Sequence, residues 1–232
     1  MKEEDKFTPP KSNWEDNAHL VARAGISCIP IAGGPALEIF SAIVSPSLEK
    51  RRQKWMEDVA ESLRKLEAEK SISLEDLQTN EQFITIVMQA SQSAIRNHQQ
   101  EKLSALRNAI LNSALPNPPE ESLQVMFLNF IDTFTVWHFK ILELFQDPKA
   151  WADKHNHTFQ RYNSAPLLMM IESAFPELEN RKEFYDQIWR DLAGKGLVNL
   201  DTLNMTILEG GLLAPRISDL GNQFLKFITT PQ

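Results

Sequence analysis

The residues best suited to hold a metal ion lie in one short stretch, where Asp153, His155 and His157 alternate along the chain. In an extended segment this spacing would place both imidazoles on one side, and imidazoles with a carboxylate can bind zinc. The stretch offers no second fixed pair of ligands, so a polar surface loop is the favoured interpretation. We predict no metal site and no cofactor.

Two further residues, His138 and Cys28, belong to types that act in catalysis. His138 lies in a strongly apolar stretch, which is more typical of a hydrogen-bonded core histidine than of a general base. Cys28 also has apolar neighbours, which disfavour the reactive thiolate. The pairs Gly33-Gly34 and Gly210-Gly211 lack the Lys-Ser or Lys-Thr of a phosphate-binding loop. We therefore predict no catalytic residues and a protein that is not an enzyme.

Composition and charge narrow the class of protein. Of 232 residues, 42% are hydrophobic and 24% are charged, which is enough apolar surface for a folded core. The formal net charge of −7 argues against a dedicated nucleic-acid binder. A single cysteine and the lack of a signal-peptide pattern at the N-terminus predict a cytoplasmic protein, with peripheral membrane association as the alternative.

The elements that must position these residues are mainly helical. A charged stretch over residues 1–12 is expected to be a disordered lead-in, followed by an N-terminal helical region over 13–115. A long helical pattern from about Asn80 ends at the linker 116–119, because three of its four residues are prolines. The C-terminal region, 120–232, opens with an apolar helix predicted over 120–146. The predicted fold class is mainly α.

The last third of the chain has the pattern of a winged helix. A helix containing Ile188 to Leu192 should end at Gly194 or Gly196 and lead into a short strand. Two β-like pieces, 203–208 and 212–214, flank Gly210-Gly211 and indicate a hairpin, and a closing helix begins at Ser218. Over about 165–232 the sequence resembles the winged-helix family, which implies an α+β module at the end of a helical protein.

The most unusual stretch is 24–44, where Glu38 is the only charged residue. Pro30 and Pro35, with the glycines between them, divide it into two short arms, predicted as an apolar hairpin. A new helix is expected at Ser45-Pro46, and it carries four positive charges within five residues. The predicted partner or membrane surface combines the two features: Ile29, Ile31, Leu37, Phe40, Lys50, Arg51, Arg52 and Lys54.

A winged helix also raises the possibility of DNA binding. The only candidate phosphate contacts are Arg190, Lys195 and Arg216. Six basic and six acidic residues lie between Arg181 and Gln232, so this end of the chain is neutral and lacks most of the electrostatic attraction to DNA.

Several C-terminal segments carry a family resemblance. They are the apolar helix around Trp137-His138, the transition at Gly196-Leu197, and the closing run from Ser218 through Gly221 to Phe224. Together they resemble the bacterial Abi-alpha family, which is linked to abortive infection. The resemblance implies a role in phage defence and supplies no active-site residues.

Three hypotheses follow from the sequence. The first is a non-enzymatic protein-interaction module that binds a protein partner or itself. The family resemblance would give this module a role in phage defence. The second is a membrane-active effector that uses the apolar hairpin and the adjacent basic cluster on an anionic membrane. The third is a winged-helix regulator that binds DNA.

Overall fold

The computed structural model describes residues 35–70, 72–160 and 163–231, except for the side chains of 35–41, 43, 209 and 210. The described chain is mainly helical with two short strands, which confirms the predicted fold class at that level. The described residues divide into two compact units, one within 1–98 and 114–116 and the other within 99–113 and 117–232. The predicted lead-in and the first arm of the apolar hairpin lie outside the described residues.

The first unit is built on a long helix packed against a shorter one. Its helices are α1 (Pro35–Glu69), α2 (Leu74–Leu77) and α3 (Glu81–Arg96). Trp55 donates its indole N–H to Ser91 Oγ at 2.9 Å, and the short connection makes α1 and α3 antiparallel. Because α3 ends only about 7 Å beyond Ser91, the N-terminal third of α1 extends past it. Trp55 is accordingly the first residue of α1 found buried where burial is described.

One helix start predicted in this unit is wrong. Ser45-Pro46 does not begin a helix, because Pro46 lies inside the continuous helix α1. A proline within a helix removes one backbone hydrogen bond and crowds the preceding turn, but the turns on either side can still form. The described part of the apolar stretch, residues 35–44, and the basic cluster are therefore parts of one helix.

The second unit contains the remaining described elements. In order they are α4 (Gln100–Ser113), α5 (Glu121–Thr133), α6 (Val136–Gln146), α7 (Pro148–Lys154), β1 (Ser164–Pro166), α8 (Leu168–Ala174), a 3-10 turn (Pro176–Leu178), α9 (Lys182–Gly194), β2 (Thr206–Leu208), α10 (Glu209–Leu212) and α11 (Asp219–Ile228). The core is rich in aromatic rings from α5 and α11. The ring centroid of Phe127 lies 5.4 Å from that of Phe224 and 5.6 Å from that of Phe227. These contacts hold α5 against the closing helix.

Two long helices expected from the sequence are each broken. The pattern from Asn80 onwards forms α3 and α4, since Asn97 has an extended backbone. The apolar stretch 120–146 forms α5 and α6, which meet at an angle of 119°. Phe134 and Thr135 are extended there, and the Thr135 N–H donates to His138 Nδ1 at 3.1 Å. A local cap that satisfies a helix-terminal N–H thus favours a new helix over continuation.

The predicted hairpin over 203–208 and 212–214 is wrong in its pairing. β2 pairs with β1 in antiparallel register, with Ala165 opposite Ile207, and Glu209–Leu212 is a helical turn. The two glycines did not form a tight β-turn because helix α10 begins directly after β2. Of the two glycines proposed to end α9, Gly196 has the left-handed backbone, with φ of 70°.

Candidate functional site

The predicted basic cluster lies on the surface of α1. Lys50, Arg51, Arg52 and Lys54 are all exposed, and among the described residues no carboxylate forms an ion pair with any of them. We call these four residues the basic segment. At about 100° per residue, Lys50, Arg51 and Lys54 fall within an arc of about 100°, and Arg52 lies on the other side of the buried stripe. Three of the four cations can therefore face one flat surface together.

The predicted apolar partners of the basic segment are only partly described. Ile29 and Ile31 lie outside the described residues. Leu37 and Phe40 lie in α1, within the same uninterrupted helix as the basic segment. The apolar half of the predicted surface stays a prediction.

The three candidate DNA contacts have different environments. Arg190 is exposed and donates to Gln187 Oε1 at 2.8 Å on its own helix. Lys195 is exposed at the end of α9, with Nζ 5.8 Å from the ring centroid of Phe130. Arg216 is partly buried and donates through Nη2 to the Gly211 carbonyl, so its guanidinium supports the adjoining loop.

The second unit contains a cleft of about 600 Å³ that the sequence did not predict. We call it the aromatic cleft. One wall is a stripe of α6, where Val136, Phe139, Lys140 and Glu143 recur at helical spacing. The other walls come from α4, α7, α11 and the segment 174–177. Its volume is within the range of small-molecule sites in proteins.

Several aromatic and imidazole rings line the cleft. Trp151 stacks on His155 with ring centroids 4.1 Å apart, and it meets Phe175 edge-on at 5.5 Å. His157 contacts the same indole and lies 3.0 Å from Ser173 Oγ through Nε2. These rings therefore pack against each other in the lining of the cleft.

Hydrogen bonding sets the proton position on His155. Its Nδ1 lies 2.8 Å from the Trp151 carbonyl, which can only accept, so Nδ1 carries the hydrogen. In the neutral ring Nε2 is then free to accept a hydrogen bond. Asp153, His155 and His157 lie close together in sequence, but the part of the chain that the structure describes contains no group of three side chains that could hold a metal ion.

Charged groups line the rim of the cleft. Three carboxylates and one ammonium group belong to the lining: Glu101, Glu143, Glu177 and Lys140. Glu143 pairs with Lys154 at 2.7 Å, whereas neither Glu101 nor Glu177 forms an ion pair with any described residue. The lining therefore has an excess of negative charge when its histidines are neutral.

His138 is a buried, hydrogen-bonded residue, which confirms that prediction. Its Nδ1 accepts the Thr135 N–H, so the proton lies on Nε2, which faces Asp191 Oδ2 at 3.4 Å. The ring also stacks on Phe134 at 4.4 Å. Burial lowers the pKa of His138, and the bond to Asp191 opposes that shift. The contacts of this histidine cap α6 and join it to α9.

None of the described helices is by itself long and apolar enough to cross a bilayer. Helices α5 and α6 together have the length and apolar composition of a membrane span. The pair is sharply bent, however, and most of its apolar side chains are buried.

The cleft has a faint signal in the sequence. Lys140 and Glu143 are charged residues within an otherwise apolar helix, and a charged pair at i and i+3 marks a face that is not fully buried. The α4, α7 and α11 walls come from distant parts of the chain, and no spacing rule brings them together.

Comparison of the chain with protein-family models, curated proteins and solved structures gave no match.

Proposed function

We propose that this protein is a non-enzymatic interaction protein that binds an anionic membrane surface through the basic segment of α1. The observation that carries the proposal is the exposure of Lys50, Arg51, Arg52 and Lys54 without an ion pair to any described carboxylate. Cations held by neighbouring carboxylates would gain little from an external anion. The four cations of the basic segment are therefore available to bind an external anion.

The continuity of α1 favours a membrane over other anionic partners. Residues 35–48 contain one charged residue, Glu38, and they run into the basic segment without a break in the helix. An apolar helical part next to a group of cations is typical of helices that lie in the membrane interface. The N-terminal third of α1, which carries this apolar part, extends past the end of α3.

The expected strength comes mostly from electrostatics. Each Lys or Arg close to an anionic membrane contributes about 1 kcal/mol, so three cations on one face contribute about 3 kcal/mol. The net charge of −7 opposes approach of the whole protein. Binding should therefore be local to α1 and strongly weakened by salt, since the screening length is about 10 Å at 0.1 M and about 3 Å at 1 M.

Co-sedimentation with vesicles tests the proposal. The full chain is mixed with vesicles of phosphatidylcholine alone or with a phosphatidylserine fraction, at low and at high salt. We expect sedimentation with the anionic vesicles at low salt only. Sedimentation that does not depend on phosphatidylserine, or none with either vesicle, would overturn it, and an acidic protein partner would then be the better interpretation of the basic segment.

We also propose that the C-terminal region ends in a winged-helix-like module. The pairing of β1 with β2 across α8 and α9, with Gly196 after α9, supports that interpretation. DNA binding is the weaker function for it, because Arg216 donates to the Gly211 carbonyl and the charge of 181–232 is balanced.

The phage-defence role rests on the Abi-alpha resemblance alone and stays a prediction. It is tested by phage plating on bacteria that produce the full chain. A membrane-binding defence protein should lose protection when the basic segment is reversed in charge. Equal plating with and without the protein would count against the defence role.

A further inference from the structure

We propose that the aromatic cleft of the second unit is a binding site for an organic cation that carries an aromatic or other apolar body. This site is separate from the basic segment, and its charge has the opposite sign. The inference does not depend on membrane binding by α1, so the two can fail independently.

The shape of the cleft supports a compact ligand. A volume of about 600 Å³ accommodates a molecule of roughly drug size or smaller. Phe139, Trp151 and Phe175 line it together with the aliphatic side chains of Leu225 and Ile228. Burial of apolar ligand surface against these groups contributes about 25 cal/mol per Å².

The charge of the rim selects the sign of the ligand. Glu101 and Glu177 line the cleft without an ion pair to any described residue, and Glu143 is shared with Lys154. Lys140 is the one cation among the lining residues, and its Nζ lies 4.6 Å from the Trp137 ring centroid. An ammonium group at the rim would meet free carboxylates, whereas a carboxylate ligand would be repelled by them.

The lining also offers a fixed polar contact. The orientation of His155, set by the bond from its Nδ1 to the Trp151 carbonyl, leaves Nε2 as an acceptor in the neutral ring. An ammonium N–H can donate to that nitrogen. The apolar lining, the exposed carboxylates and this acceptor together fit a primary amine attached to a ring.

The test uses three probes of similar size that share a phenyl ring: phenethylamine, 2-phenylethanol and phenylacetate. Binding to the full chain is measured by isothermal titration calorimetry at neutral pH and low salt. We expect phenethylamine to bind saturably, 2-phenylethanol more weakly, and phenylacetate at least about tenfold more weakly than phenethylamine. No saturable binding of phenethylamine, or equal binding of phenylacetate, would overturn the proposal.

A variant locates the site. Glu101→Gln with Glu177→Gln should weaken phenethylamine binding by roughly fivefold or more, because two exposed carboxylates are lost. The matched control is Glu120→Gln with Asp201→Asn, which removes the same charge from exposed positions outside the lining. Equal weakening in both double variants, or none in the first, would contradict a site in this cleft. All four substitutions are on the surface, so circular dichroism should report an unchanged fold.

Discussion

His138 Nε2 lies 3.4 Å from Asp191 Oδ2, and this contact joins α6 to α9 inside the second unit. The histidine is buried, and burial lowers its pKa more than the carboxylate raises it. The folded protein therefore holds His138 neutral at a pH where the unfolded chain, with a usual histidine pKa of about 6.5, begins to take up a proton. Proton uptake by the unfolded state alone destabilises the fold.

We predict that His138 makes the protein less stable as the pH falls below about 6.5. The measurement is the free energy of unfolding by urea between pH 8 and pH 5, for the native chain and for His138→Gln. The stability advantage of the native chain should be constant above pH 7 and should shrink below it, by no more than about 1.4 kcal/mol per pH unit for one group. An advantage that grows as the pH falls would mean that the pair with Asp191 raises the pKa of His138.

A second prediction concerns the amide that caps the end of α11. Asn112 Nδ2 donates to the carbonyls of Phe227 at 2.9 Å and Thr229 at 2.8 Å, and Asn112 is buried. Asn112→Ala leaves these carbonyls without that donor, and we expect a loss of about 2 kcal/mol in the free energy of unfolding. Asn222→Ala is the control, because its amide is exposed and makes two long bonds, one to Ser218 O at 3.2 Å and one from Gln146 Nε2 at 3.3 Å. A loss as large in the control would contradict a special role for Asn112.

A third prediction compares two glycines at helix ends. A Cβ at Gly221 would overlap the Leu197 carbonyl oxygen, whereas a Cβ at Gly194 would meet no atom within 4 Å. Gly221→Ala should therefore cost about 2 kcal/mol or more in stability, since backbone must move. Gly194→Ala should stabilise the protein by about 0.5 kcal/mol, because the unfolded chain loses freedom. Thermal unfolding of both variants measures whether the stability falls in the first and rises in the second. Equal changes in stability would contradict this packing of α11.

A fourth prediction separates the two arginines of the basic segment. Arg51 shares an arc of α1 with Lys50 and Lys54, and Arg52 lies outside that arc. Arg51→Glu should then weaken binding to anionic vesicles severalfold more than Arg52→Glu, although both change the net charge equally. Identical losses in the two single variants would indicate general charge attraction and not one face of the helix.

The sequence predicted the helical class because apolar residues recur at helical spacing in most of the chain. It also placed His138 in the core and the basic segment on one helix. The predicted helix start at Ser45-Pro46 was wrong, because a proline preceded by serine is compatible both with the start of a helix and with a position inside one. The sequence prediction also failed at Gly210-Gly211 because the partner of β2 is β1, some forty residues earlier, and a pairing of that kind leaves no local signal.

The aromatic cleft could not be predicted for a similar reason. Its α6 stripe includes Lys140 and Glu143, which the sequence shows as isolated charges in an apolar helix. Glu101 and Leu225 face the same space from helices more than one hundred residues apart. Only the packing of α4, α6, α7 and α11 in the second unit brings these side chains together.

The central claim is that α1 binds an anionic membrane through the cations of its basic segment. The most direct measurement is vesicle co-sedimentation of Arg51→Glu with Lys54→Glu against a matched control, Lys149→Glu with Lys226→Glu, which changes the net charge equally at exposed positions outside α1. We predict that the first double variant loses more than about 90% of the binding to phosphatidylserine vesicles, a tenfold effect or about 1.4 kcal/mol, and that the control keeps most of it. Binding retained by the first variant, or lost equally by both, would contradict the claim.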